Sequence, residues 1–268
     1  MCGRYTLGTP VADLEARFNA DFGAFEPSYN CAPGQALPVI PADDPTETRQ
    51  MKWGLTPSWA NESFDLINAR AETVRKKRSF ADAFERRRCL VPADGFYEWA
   101  AAVDRSDSDS TASDSDSIAS DSDTLRGDGG KTRPYRVAFE DDRAFAMAGL
   151  YERWEPPTPE TTQTGLGAFG GGSSDTTDEP DETDTVETFT IITTTPNALI
   201  SELHHRMAVI LPPDEEQTWL HGTLADAESL LKPYPAAELT AYPVSTRVNS
   251  PAIDSPSLID PIGDAAGP

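Results

Sequence analysis

The stretch Arg88-Cys89-Leu90-Val91-Pro92-Ala93-Asp94-Gly95-Phe96-Tyr97-Glu98-Trp99 decides the fold class. Residues 89–91 read as a buried strand, and residues 95–99 are strand-like sequence close behind. Strands this short and closely spaced leave no room for the crossover helices of a doubly wound sheet. Working outward, residues 135–139, 146–151 and 188–194 are also strand-like, the last rich in β-branched residues. Residues 207–211 and 243–248 read as further strands. Helices are expected where Thr9 and Pro10 supply an N-cap and first position ahead of Val11, Leu14 and Phe18. Ser79 with Asp82 resembles a capping box opening a helix that runs through Phe84 to Arg88. Residues 213–220 and 224–231 complete the helical set. The expected fold class is α+β, a single domain over residues 1–268.

Charge is unevenly distributed along the chain. The 268 residues carry 45 acidic and 22 basic side chains, a net charge of -23, and the mean hydropathy is -0.48. Residues 104–130 form a Ser/Asp repeat, and residues 156–187 mix Pro, Thr, Gly and acid. Neither composition can bury enough apolar surface to offset the entropy of ordering. Both read as disordered inserts, expanded turns between strand-like flanks. They hold fourteen of the net negative charges.

Several classes are excluded. No run of 18 apolar residues occurs, so no spanning helix and no membrane partner are expected. The N-terminus lacks the apolar stretch of a secretory signal. Three cysteines, at 2, 31 and 89, make no disulfide framework and suit a reducing, cytoplasmic setting. There is no CxxC, HxxxH, phosphate loop or dinucleotide turn, so neither metal nor cofactor is expected. An acidic chain argues on its face against nucleic acid. Residues 70–88 run the other way, with Arg70, Arg75, Lys76, Lys77, Arg78, Arg86, Arg87 and Arg88 giving a local net charge of +5. Alone, such a run is equally a solvated helix face.

Cys2 follows the initiator Met directly. Aminopeptidases remove Met before small residues, which would leave an amine and a thiol on adjacent carbons. The amine has a reference pKa of about 7.7–8.0, and a cysteine thiol is intrinsically nucleophilic. An aldehyde meeting both groups forms an imine that sulfur closes to a five-membered thiazolidine. Read alone, Cys2 is also compatible with an inert buried cysteine.

Downstream motifs narrow that choice. Met1-Cys2-Gly3-Arg4-Tyr5, Tyr29-Asn30-Cys31-Ala32-Pro33-Gly34, Lys52-Trp53-Gly54-Leu55-Thr56-Pro57, Asn68-Ala69-Arg70-Ala71-Glu72-Thr73, the stretch quoted first and His204-His205-Arg206-Met207-Ala208-Val209 follow in order. Together they closely resemble the SRAP family of abasic-site-processing proteins, over nearly the whole chain outside the two inserts. The resemblance implies a barrel-like, mostly antiparallel sheet core with peripheral helices. It also implies a covalent, reversible thiazolidine between Cys2 and the ring-opened aldehyde of an abasic site in single-stranded DNA.

Carried over by position, Asn68 would hold Cys2 and the opened sugar, and Glu98 would relay protons during imine formation and ring closure. His204 would protonate the deoxyribose ring oxygen. The motif here has Ala208 where proline is usual, a change expected in local rigidity rather than chemistry. His205 competes with His204; adjacent side chains are expected to diverge, so that only one faces Cys2. Arg4 and Arg70 match phosphate-contacting positions, with Arg75, Lys76 and Lys77 nearby. Pro33, Trp53 and Trp99 match positions lining the groove, where aromatic faces would stack on bases.

Two other readings remain. A glutamine amidotransferase with an N-terminal Cys nucleophile explains Cys2 but none of the later motifs, and glutamine hydrolysis would reveal it. A non-covalent single-strand binding module would give no adduct, or one unchanged in Cys2→Ala. With only Met1 ahead of Cys2 there is no leader to process, so peptidase action on other proteins is not expected. A monomer is expected. The acidity suits the cytoplasm of a halophilic archaeon, where a covalent bond would hold a lesion independently of salt.

Overall fold

The structure, a computed structural model, describes residues 2–101, 132–157 and 185–263. In chain order the elements begin with β1 (Tyr5–Leu7), α1 (Val11–Phe18), β2 (Ser28–Cys31), β3 (Ala36–Pro41), β4 (Arg49–Trp53) and β5 (Asn68–Arg70). Next come α2 (Ala81–Arg86), β6 (Arg88–Ala93), β7 (Gly95–Ala101), β8 (Thr132–Phe139), β9 (Phe145–Trp154) and β10 (Val186–Thr194). The chain ends with α3 (Ala198–Ser201), β11 (Met207–Ala208), β12 (Ile210–Leu211), α4 (Glu216–His221), α5 (Leu224–Ser229) and β13 (Leu239–Pro243). This is the α+β class expected.

Two sheets organise these elements. In the first, β10, β4, β3, β6 and β9 pair in that order, and β9 pairs back onto β10 to close a five-stranded barrel. All its pairings are antiparallel except β10 with β4. β5 lies parallel on β10, while β11 and β12 extend β10 and β9. The second is an open antiparallel sheet, β13-β8-β7-β1-β2. Closure removes exposed edges from the barrel and buries every residue of β6. Even Arg88 is 6% exposed, its guanidinium donating to the carbonyls of Phe84, Trp219, Leu220 and Gly222.

A single residue, Asp94, separates β6 from β7 and carries the chain from barrel to open sheet. Its carboxylate accepts from Thr6 Oγ1 at 2.5 Å, Gly8 N at 2.6 Å, Thr9 N at 2.7 Å and Thr9 Oγ1 at 2.9 Å. The buried Arg136 lies 3.5 Å away. The corner therefore pins the N-terminal strand. Gly95 is required there because a Cβ would sit 2.7 Å from Arg136 Nε and 2.9 Å from Thr6 Oγ1.

Local expectations are corrected at several points. Pro10, not Thr9, is the N-cap of α1, because Thr9 is drawn onto Asp94 instead. Phe80 is the N-cap of α2, with no side-chain cap bond, and α2 stops at Arg86 because Arg88 already belongs to β6. Residues 207–211 split into two strands that serve β10 and β9, with Val209 N–H donating to Ile192 between them. The late strand is Leu239–Pro243, and residues 246–249 form a 3-10 turn. The two inserts fall largely outside the described residues. Their flanks pair as antiparallel neighbours, β7 with β8 and β9 with β10, and β10 takes up Val186 and Glu187 from the second.

Candidate active site

Tyr97 N–H donates to the Arg4 carbonyl at 2.9 Å, continuing the β1–β7 pairing toward the N-terminus. That pairing runs the first residues alongside Glu98. Cys2 is 0% exposed. Burial pushes its thiol up to about 12, and the Glu98 carboxylate adds to the rise. From the barrel side, Asn68 on β5 donates its Nδ2 to the Cys2 carbonyl at 3.0 Å. Asn68 Oδ1 is buried without a hydrogen-bond partner among the described residues, which leaves it able to accept from a bound group.

Glu98 is 1% exposed, and burial raises its carboxyl to about 7. Such a group exchanges protons in either direction near neutrality. Cys31 and Cys89 are equally buried, with thiols raised the same way. Cys2 differs from them in being set against Glu98.

His204 is half-buried, and burial lowers its pKa to about 4. Its Nδ1 lies 3.0 Å from the Arg206 backbone N and 3.2 Å from the Arg206 carbonyl oxygen, an acceptor in one tautomer and a donor in the other. Near neutrality the ring is therefore uncharged and carries one N–H that it can still offer as a donor. The expected divergence of the two histidines is corrected. The exposed His205 ring stacks on His204 with centroids 4.3 Å apart, because residues 202–206 bend rather than extend.

Arg206, which sequence reasoning did not single out, braces this loop. It is 9% exposed, forks onto Glu72 at 2.6 and 3.0 Å and donates to the Thr193 carbonyl at 2.6 Å. This ties the histidine loop to the end of β10, the strand that also holds Asn68. The signal was the arginine and glutamate inside two motifs, but their pairing spans 134 residues.

The expected DNA-binding residues divide. Trp53 is 0% exposed, its Nε1 bonded to the Ile67 carbonyl and its ring packed on Tyr5 and Phe189. It is a core residue and offers no face to a base, which corrects that expectation. Trp99 is half-buried and donates to Asn249 Oδ1. Pro33, Arg70, Lys76 and Lys77 are exposed. Arg75 pairs with Glu228 at 2.5 Å. Arg86 and Arg87 pair with Asp82, Arg87 also reaches Glu152, and Arg88 is buried. The eight-cation run thus leaves Arg70, Lys76, Lys77 and Arg78 without a carboxylate partner among the described residues.

The exposed aromatic that sequence reasoning missed is Trp59, six residues after Trp53. It is 42% exposed, with the Arg78 guanidinium stacked 4.2 Å from its centroid. Gly54 at φ +135° turns the chain between the two. No grouping of three or more His, Cys, Asp or Glu side chains that could hold a metal occurs among the described residues. None of the described helices is long and apolar enough to cross a membrane.

Known proteins resemble this chain over most of its length. The family described as SOS response associated peptidase (SRAP) matches residues 1–251. The abasic site processing protein YoqW of Bacillus subtilis is 36% identical over 97% of this chain and 99% of its own. The abasic site processing protein HMCES of Pongo abelii is 30% identical over 88% of this chain and 65% of its own. A solved structure of a Bacteroides thetaiotaomicron protein shares the fold at a TM-score of 0.71, with 24% identity, covering 97% of this chain and 99% of that one. The chain belongs to the SOS response associated peptidase (SRAP) family.

Proposed function

We propose that this protein senses and processes abasic sites in single-stranded DNA by forming a reversible covalent bond through Cys2. The observation that carries this reading is the setting of Cys2 between the Asn68 amide and a buried carboxyl poised near neutrality. Relatives named as abasic site processing proteins support it.

The order of steps follows from the protonation states. With the Cys2 thiol near 12, the sulfur is not the first nucleophile. Once Met1 is removed, the Cys2 amine attacks C1′ of the ring-opened sugar and gives a carbinolamine. Protonated Glu98 donates to the departing hydroxyl, which leaves as water and gives the iminium ion. The resulting carboxylate takes the thiol proton as sulfur adds to the iminium carbon, which leaves a neutral ring nitrogen and Glu98 protonated again. One water is released, no oxidant or reductant is consumed, and the same steps reversed free the DNA. As the sugar opens, the C1′–O4′ bond breaks, the C1′ hydroxyl loses its proton and O4′ gains one, and His204 is the group we assign to moving that proton between the two oxygens. The chemistry is therefore lyase-like, formed and reversed by the protein itself.

Arg70, Lys76, Lys77 and Arg78 supply phosphate contacts and Trp59 a stacking face for unpaired bases. Non-covalent capture of this kind weakens steeply with salt, whereas the thiazolidine does not depend on it.

Intact-mass measurement of the protein with an abasic single-stranded oligonucleotide tests the reading. Loss of Met1 and a denaturation-resistant adduct one water lighter than the sum are expected, with no adduct in Cys2→Ala. An adduct unchanged in Cys2→Ala, or glutamine hydrolysis by the wild type, would overturn it.

A further inference from the structure

Asn30 is 1% exposed and hydrogen-bonded on both sides of its amide. Its Oδ1 accepts from Arg4 Nη1 at 2.8 Å. Its Nδ2 donates to the carbonyls of Ile253 at 2.6 Å, Ser250 at 3.0 Å and Val248 at 3.4 Å. The Val248 carbonyl also accepts from Arg4 Nη1, at 2.8 Å. One buried side chain therefore joins the arginine two residues after Cys2 to a C-terminal segment more than 200 residues away. That segment is fastened again from outside. Asp254 accepts from Tyr29 N at 2.7 Å and Ser28 Oγ at 2.8 Å, next to Asn30 on β2.

The electrostatics of Arg4 set it apart. Arg75, Arg87, Arg136 and Arg206 each spend their charge on a carboxylate. Arg4 is held only by neutral acceptors, with no carboxylate at ion-pair distance among the described residues. Its Nε is buried and unpartnered. Arg88 is also held by carbonyls, but its burial denies access to an anion, whereas Arg4 is partly exposed. Burial lowers the pKa of Arg4, the mark of a partly desolvated cation without a counter-ion. Such a group is set for an anion arriving from solution.

We propose that Asn30 and residues 248–254 form a strap that seats the Arg4 guanidinium for a DNA phosphate, making Asn30 a positioning residue for single-strand binding beside Cys2. This rests on the DNA-binding reading above. Its physical content is preorganisation. A free arginine side chain gives up rotamer freedom on being fixed, and here the fold has already fixed it before DNA binds.

A double-mutant cycle on non-covalent binding tests the strap. Fluorescence anisotropy of an unmodified single-stranded oligonucleotide across salt reads affinity and salt slope without requiring an adduct. Arg4→Ala and Asn30→Ala are each expected to weaken binding about tenfold in low salt and to reduce the salt slope by about one phosphate contact. In the Arg4→Ala background, Asn30→Ala should add less than about twofold. Asp254→Ala, at an exposed site, loosens the strap without creating a buried void. It should weaken binding about twofold to threefold, an effect again lost without Arg4. An unchanged salt slope in Asn30→Ala and Asp254→Ala, or effects fully additive with Arg4→Ala, overturns the strap. Absence of an adduct in wild type overturns the covalent reading alone, since the cycle is read before any bond forms.

Discussion

Asp94 and Glu98 stand four residues apart on one continuous piece of chain and are buried to nearly the same degree, 5% and 1% exposed. Their surroundings make them opposites. Asp94 gathers four hydrogen bonds from the segment of residues 6–9 and lies beside Arg136, so it acts as a fastening. Glu98 is raised to about 7 by the same kind of burial, which suits it to the proton exchange with Cys2 that we propose. Burial alone does not separate a structural acid from a chemical one; the donors around it do.

The comparison breaks most visibly at the corner. Asp94→Ala should destabilise the fold by about 3–5 kcal/mol, because it takes the acceptor from four donors of residues 6–9 at once, while Arg136 keeps Asp142. Urea unfolding measures this, and a loss below about 1 kcal/mol would mean that the corner is not held as described. Glu98→Gln should do the reverse. In the wild type, the folded carboxyl near 7 against an unfolded value of about 4.3 makes stability fall as pH rises from about 4.3 to about 7. Glutamine removes that penalty, so the variant should be more stable than wild type by about 3 kcal/mol at pH 8. The gap should close toward pH 4, while adduct formation slows by about a hundredfold or more. Equal stability of the two proteins at pH 8 would contradict the burial argument.

Gly95→Ala sits between the two acids and should cost about 1–3 kcal/mol through the contact with Arg136 and Thr6. Thermal melting reads it, and the crosslinking rate at saturating DNA should change little. Trp59→Ala should cost no more than about 1 kcal/mol of stability, since the ring is 42% exposed and gives up only its contacts with Arg78 and Phe64, yet weaken single-strand binding by about 1–3 kcal/mol. Smallest in its effect on stability is the titration of His204. Its ring resonances should move with a midpoint near pH 4. A midpoint above pH 6 would contradict the burial of the ring.

Much of this was legible in the chain. Short, closely spaced apolar runs excluded a doubly wound sheet, and the order of the motifs named Cys2, Asn68, Glu98 and His204 together. The errors share a cause. Trp53 and Trp59 belong to one local pattern, and nothing in it says which ring packs on Tyr5 and Phe189. The cations of residues 70–88 look alike until Glu228, Glu152 and the Trp219 carbonyl arrive from distant chain. Ser79 and Asp82 match a capping box by spacing, but Asp82 is taken by Arg86 and Arg87.

Sequence by itself determined the chemical inventory: a cysteine directly after Met1, an amide, two carboxyls and two histidines in fixed order, and a charge concentrated outside the basic run. These are properties of residue type and spacing, and folding does not change them. Tertiary structure decided which copy of each type is used. Hydrogen-bond and ion-pair partners lie up to 244 residues apart, and only the closed barrel and the corner at Asp94 bring them together. Burial and partner choice are long-range quantities, and they separate a fastening from a proton exchanger and a core indole from an exposed one.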